Sequence, residues 1–123
     1  MVFTHENFDV EVLQSTLPVM VDVYTTLCGP CQRIAPFVEQ LAVEFEGRMK
    51  IGKMDAEENG ERSQMLGIRS VPAFLFFKDG QEQVRLINPT REEIRLGLAK
   101  YVETISIVGD KVYDGDKIIG YQG

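Results

Sequence analysis

The chain has 123 residues, enough for one domain with its own core, and 44% of them are hydrophobic. Its formal net charge is −6 and it carries no basic stripe, which argues against nucleic acid as a partner. No apolar run reaches the ~18 residues of a membrane helix, and the opening Met1-Val2-Phe3-Thr4-His5-Glu6 lacks the basic-then-apolar pattern of a secretion signal, so a cytoplasmic protein away from membranes is expected.

Thr4, Asn7-Phe8 and the run from Val10 to Leu13 predict a short opening helix capped by Thr4. Residues 18–24 form an apolar, β-branched run, the pattern of a strand buried on both faces. Residues 28–45 predict a helix. Ile34, Phe37, Val38, Leu41, Ala42 and Phe45 recur at three- and four-residue spacing, Gly47 is the stop, and Pro36 should kink it. A second strand is expected over 49–55 and a weak helix over 59–66, ending at Gly67.

Residues 73–78 predict a third strand. Asp79-Gly80 is a hairpin signal into a fourth over 82–87. Thr90 and Glu93 make a capping-box pair opening a last helix, which carries Ile94, Leu98, Tyr101 and Val102. The order implies an α/β fold: a mixed central sheet with helices on both faces. Two further turn signals, Gly109-Asp110 and Asp114-Gly115, predict a C-terminal β-meander with strands over 104–108, 111–113 and 116–121. The chain thus divides into a domain over 1–103 and a short β extension over 104–123, packed on or beside it.

The two cysteines, Cys28 and Cys31, enclose Gly29-Pro30 between a buried strand and a helix. A bond between them closes almost no chain, so stability is a poor reason for it. Chemistry is a better one. The N–H groups of a helix's first turn are unpaired and the macrodipole adds partial positive charge, which favours a thiolate at Cys28. A fall in cysteine pKa from about 8.5 to about 7 is about 2 kcal/mol of preference for the reactive form. Cys28 would attack a substrate disulfide, and Cys31, one turn further in, would resolve the mixed disulfide. Pro30 has no N–H to waste near the helix start. Other readings are two inert buried thiols or a metal site. A zinc site needs four ligands, yet His5 is the sole histidine and no second cysteine pair exists, which leaves a metal bridged between two chains.

The stretch Val21-Asp22-Val23-Tyr24-Thr25-Thr26-Leu27-Cys28-Gly29-Pro30-Cys31-Gln32-Arg33-Ile34-Ala35-Pro36 closely resembles the active-site segment of thioredoxins. So do Gly67-Ile68-Arg69-Ser70-Val71-Pro72-Ala73 and Phe76-Phe77-Lys78-Asp79-Gly80. The resemblance covers residues 3 to 102, with several motifs in order at the right spacing. It implies the thioredoxin fold, a protein-disulfide reductase acting on disulfide-containing client proteins, recharging by a thioredoxin reductase, and a monomer. No cofactor is implied, because the Cys28–Cys31 dithiol carries the electrons.

Several residues are carried over singly. Asp22 stands in an apolar strand, where an unpaired carboxylate is costly and its pKa should rise. Spacing alone leaves it equally a solvated strand-end residue; the resemblance makes it a proton acceptor for Cys31. Lys53 matches a family lysine paired with this aspartate, although a lysine near a strand usually faces solvent. Val71-Pro72 would be an ordinary trans bond by frequency. The resemblance implies a cis bond facing the cysteines, with the Val71 backbone open to an extended client strand. Leu27, Gly29, Pro30, Val71 and Pro72 would form the client-contacting surface.

The chain also departs from the family pattern. Leu27 stands where a tryptophan is usual, and there is no Trp in the sequence. Leu27 keeps apolar contact and loses the indole N–H. Ile87-Asn88-Pro89 replaces a glycine-bearing rim, and the tail from Thr104 is additional. His5 reads as a surface residue of the first helical turn. Phe74, Phe76 and Phe77 read as strand core, and Met49, Met54 and Met65 as core filler. Tyr113 and Tyr121 read as packing against the domain, or as a partner surface.

Three competing functions share these residues. A same-fold oxidase or isomerase would differ in potential, at about 1.4 kcal/mol per 30 mV. A binding module would survive loss of both thiols. A metal-bridged dimer would hold metal through Cys28 and Cys31.

Overall fold

The computed structural model describes residues 1–101, 105–114 and 117–121. Four strands form the central sheet: β1 (Val19–Tyr24), β2 (Lys50–Asp55), β3 (Ala73–Lys78) and β4 (Gln81–Ile87). Their order is β2-β1-β3-β4, with β1 parallel to β2 and antiparallel to β3, and β3 antiparallel to β4. The helices are α1 (Gly29–Glu44), α2 (Gly60–Met65) and α3 (Arg91–Ala99). The parallel β1–β2 pair needs a long crossover, and α1 is that crossover.

Strand alternation divides the core between the two faces. Met20, Phe74 and Phe76 point toward α1 and α3, where they meet Phe37, Leu41, Ile94 and Leu98. Val19, Val21, Val23, Leu75 and Phe77 point the other way, onto Phe3, Phe8 and Val12 from the opening segment, with Leu66 at the end of α2. Phe74, Phe76 and Phe77 are core, as their run of apolar neighbours predicts. Met49 and Met54 are buried too. Met65 is not core filler: it is 65% exposed, on the outer side of a helix too short to bury both faces.

The N-terminus differs from its expectation. Residues 9–13 form a single wide π-type turn, Asp9–Leu13, with no side chain capping it. Thr4 caps an earlier turn: its Oγ1 accepts from the Asn7 N–H at 3.1 Å, while the Thr4 N–H donates to Asn7 Oδ1 at 2.7 Å. His5 is half-buried rather than a free surface residue. Arg62 Nε donates to its Nδ1 at 3.2 Å, and its backbone N–H donates to Asn59 Oδ1 at 2.8 Å.

The remaining boundaries lie within two residues of the periodicity, except that the last helix ends at Ala99, short of the Tyr101 and Val102 it was expected to carry. Helix α1 runs through Pro36, about two turns in, as one element, and Pro36 is exposed. Asp79 and Gly80 both adopt positive φ, 53° and 78°, the geometry of a tight hairpin. Thr90 Oγ1 accepts from Glu93 N and Glu93 Oε1 from Thr90 N, so the capping box is closed in both directions. Three antiparallel strands follow as a separate sheet: β5 (Ile105–Val108), β6 (Lys111–Asp114) and β7 (Lys117–Tyr121). Tyr121 is exposed, so it does not pack as expected. Val102, Thr104 and Asp116 lie outside the described residues.

Candidate active site

Cys28 is the residue that caps α1, with extended backbone, and Gly29 and Pro30 are the first two helical positions. The Cys28 Sγ accepts a hydrogen bond from the Cys31 N–H at 3.2 Å. The orphan donor of the helix's first turn therefore points at the outer sulfur. Gln32 Nε2 donates to the Thr26 carbonyl at 2.6 Å and ties the preceding loop to the helix. The two cysteines form a disulfide, with their Cα atoms 5.2 Å apart. Cys31 is 3% exposed while Cys28 is half-buried, so the sulfur within reach of a partner belongs to Cys28.

Asp22 shares the sheet face of Met20, and therefore lies under α1 rather than under α2. It is 4% exposed, and its Oδ1 has no hydrogen-bond partner among the described residues. Burial pushes its carboxyl up from 3.8 to about 7, and the nearby Lys53 charge opposes that rise. Lys53 is the register partner of Asp22 across the β1–β2 pair. It is exposed, with Nζ 5.7 Å from the centre of the Tyr24 ring and no ion pair to Asp22 within 4.0 Å. A cleft of about 300 Å³ is lined by Asp22, Tyr24, Cys31, Gln32, Ala35 and Lys53. Thus Asp22, Lys53 and the inner cysteine, which are far apart in sequence, are brought to one wall.

The Val71–Pro72 bond is cis. No hydrogen bond to the Val71 N–H or C=O is formed among the described residues. The Pro72 carbonyl accepts from the Asn88 N–H at 2.9 Å, and Asn88 adopts φ 47°, a left-handed conformation that asparagine tolerates better than most residues. Pro30 and Pro72 face each other across a groove of about 260 Å³ whose other walls include Arg33, Ile34, Asn88 and Arg91. Leu27, just before the first cysteine, is 92% exposed. Sequence reasoning assigned no role to Arg33 or Arg91. Helical periodicity sets Arg33 about a turn beyond Gly29, and Arg91 directly follows the Thr90 cap, which are the signals that point to them.

Among the described residues, no three His, Cys, Asp or Glu side chains gather as metal ligands, and no helix is long and apolar enough to cross a membrane.

The family model for thioredoxin matches residues 1–102. The chain belongs to the thioredoxin family. It is 42% identical over 79 residues to Thioredoxin 1 of Nostoc sp., covering 64% of this chain and 74% of that one. It is 41% identical over 78 residues to Thioredoxin 1 of Synechococcus elongatus, covering 63% and 73%. Against the thioredoxin of Rickettsia bellii it is 39% identical over 80 residues, covering 65% and 76%. As a thioredoxin-family protein it carries out dithiol–disulfide exchange through the Cys28–Cys31 pair, with the activity of a protein-disulfide reductase. The electrons reside on the two sulfurs. Its partners are of the general thioredoxin kind, proteins that exchange disulfides.

Proposed function

We propose that Cys28 is the attacking thiolate and Cys31 the resolving thiol in the reduction of client disulfides. The observation that carries this assignment is the pairing of exposure with hydrogen bonding. Cys28 Sγ is the reachable sulfur and accepts the Cys31 N–H at the start of α1, while Cys31 is buried. In the first step the Cys28 thiolate attacks one sulfur of the client disulfide. An S–S bond forms between them, and the client's other sulfur leaves as a thiolate and takes a proton. In the second step Cys31 gives its proton to the Asp22 carboxylate and attacks Cys28 Sγ. The Cys28–Cys31 bond forms, the client's first sulfur leaves, and two electrons have passed to the client.

Asp22 suits the proton-accepting role because burial lifts its pKa to about 7, where it accepts and returns a proton near neutrality. Lys53 acts as a positioning residue whose charge holds that value down. Leu27, Gly29, Pro30, Val71 and Pro72 form the contact surface. The unpaired Val71 N–H and C=O suit addition of an extended client strand. A thioredoxin reductase restores the dithiol, and the protein works in the cytoplasm as a monomer, without nucleic acid or membrane partners. Residues 1–103 form the catalytic domain, and 104–123 form a short β extension packed on or beside it.

The Cys31→Ser variant tests the assignment. It should accumulate a mixed disulfide with client protein through Cys28, visible as a mass adduct, whereas Cys28→Ser should accumulate none. Adducts on Cys28→Ser instead would reverse the two roles.

A further inference from the structure

The groove beside the disulfide carries a charge that the exchange chemistry does not use. Its walls come from two sides: Pro30, Arg33 and Ile34 from the first turns of α1, and Asn88 and Arg91 from the β4–α3 connection. The chain as a whole is acidic, at −6. Yet each side of this groove presents a guanidinium with no carboxylate within 4.0 Å among the described residues. Other arginines are taken up: Arg62 by Asp9, Arg85 by Glu82 and Arg95 by Glu44.

Both guanidiniums have definite places. A Cβ built on Gly29 would lie 3.2 Å from Arg33 Nη1, so the Arg33 head folds back over the turn that joins the cysteines. The Arg91 guanidinium carbon lies 5.4 Å from the Phe37 ring centre. A ring contact occupies the face of a guanidinium and leaves its N–H edge able to donate. Neither acidic residue that follows Arg91 forms an ion pair with it within 4.0 Å. The Glu93 carboxylate accepts from the Thr90 N–H, and Glu92 is exposed on the helix. The Asn88 N–H bond to Pro72 O, at 2.9 Å, ties the groove's far rim, three residues before Arg91, to the proline loop.

The geometry points to a client segment that carries aspartate or glutamate beside the disulfide under attack, with its carboxylates set against Arg33 and Arg91. Guanidinium–carboxylate pairing suits such a segment, and unpaired cations steer its approach. This inference names the client class for the exchange at Cys28 and rests on that reading.

The test uses three disulfide-linked peptides with one core sequence, flanked by aspartate, asparagine or lysine. Each is mixed with the reduced full chain in single turnover, and the second-order rate constant is read. At low ionic strength the acidic peptide should react about tenfold faster than the neutral one, and the basic peptide slowest. The preference should collapse at high salt. Arg33→Gln/Arg91→Gln should abolish the ratio of acidic to neutral rates, and Arg33→Glu/Arg91→Glu should invert it. Using the ratio removes any effect of Arg33 on the thiolate itself. Equal rates for the three peptides, or a preference unchanged in the variants, would overturn the inference. Failure to reduce even the neutral peptide would overturn the exchange reading, and this inference with it.

Discussion

Asp22 and Cys31 line one cleft, an ionisable carboxyl and a buried sulfur, 4% and 3% exposed respectively. A carboxylate with an unpartnered oxygen is an expensive thing to keep in a sheet, and its cost is measurable. Unfolded, Asp22 titrates at 3.8; folded, at about 7. Between those values the native state keeps a proton that the unfolded chain has released. Stability therefore falls as pH rises through that window and is level above it. The interval amounts to about 4 kcal/mol at most. Asp22→Asn should stabilise the protein by up to about that amount at pH 8 and by almost nothing at pH 4, read by urea unfolding at both. Equal gains at the two pH values would contradict the cause given.

Lys53 opposes the rise of the Asp22 pKa. Lys53→Gln should move the Asp22 titration above its present value, observed directly by NMR of the carboxyl carbon. The pH profile of the second exchange step should move the same way. A purely structural lysine would leave both unmoved.

Leu27 is almost fully exposed and has no packing to lose. Leu27→Ala should change unfolding free energy by no more than about 0.5 kcal/mol. Its rate with protein disulfides should nevertheless fall, because apolar contact with the client is lost. A stability loss with unchanged client rates would reverse this assignment.

Arg62 ties the N-terminal segment to α2. It is 5% exposed and donates to His5 Nδ1 and to the His5 carbonyl. It pairs with Asp9 at 3.1 Å, and its guanidinium lies 4.8 Å from the Phe8 ring centre. Arg62→Ala should cost about 1–3 kcal/mol in thermal or urea unfolding while leaving exchange rates intact.

Elements with a strong local signal were legible in the sequence. The apolar run of β3, the Asp79-Gly80 turn and the Thr90–Glu93 capping box each depend on neighbouring residues, and each forms as read. The opening segment was less legible, because Phe3, Phe8 and Val12 take their positions from β1 and β3 and not from local helix propensity. Met65 was misread for a similar reason: α2 is a single short helix whose outer face meets nothing. Arg62 gave no sign of burial, since its partners His5 and Asp9 are more than fifty residues away. At the site, the Cys28–Cys31 disulfide and the cis Val71–Pro72 bond were legible from motif. The charge of the groove was not, because Arg33 and Arg91 come to line one groove only once β4 and α3 have folded back beside α1.

The Cys28–Cys31 pair is a reductant of protein disulfides. The most direct test is the reduction potential, measured by equilibrating the protein across dithiothreitol and glutathione buffers. Glycine and proline between the cysteines predict a value near the thioredoxin figure of about −270 mV. A value nearer the about −120 mV of a strong disulfide oxidant would make the pair an oxidant of proteins rather than a reductant.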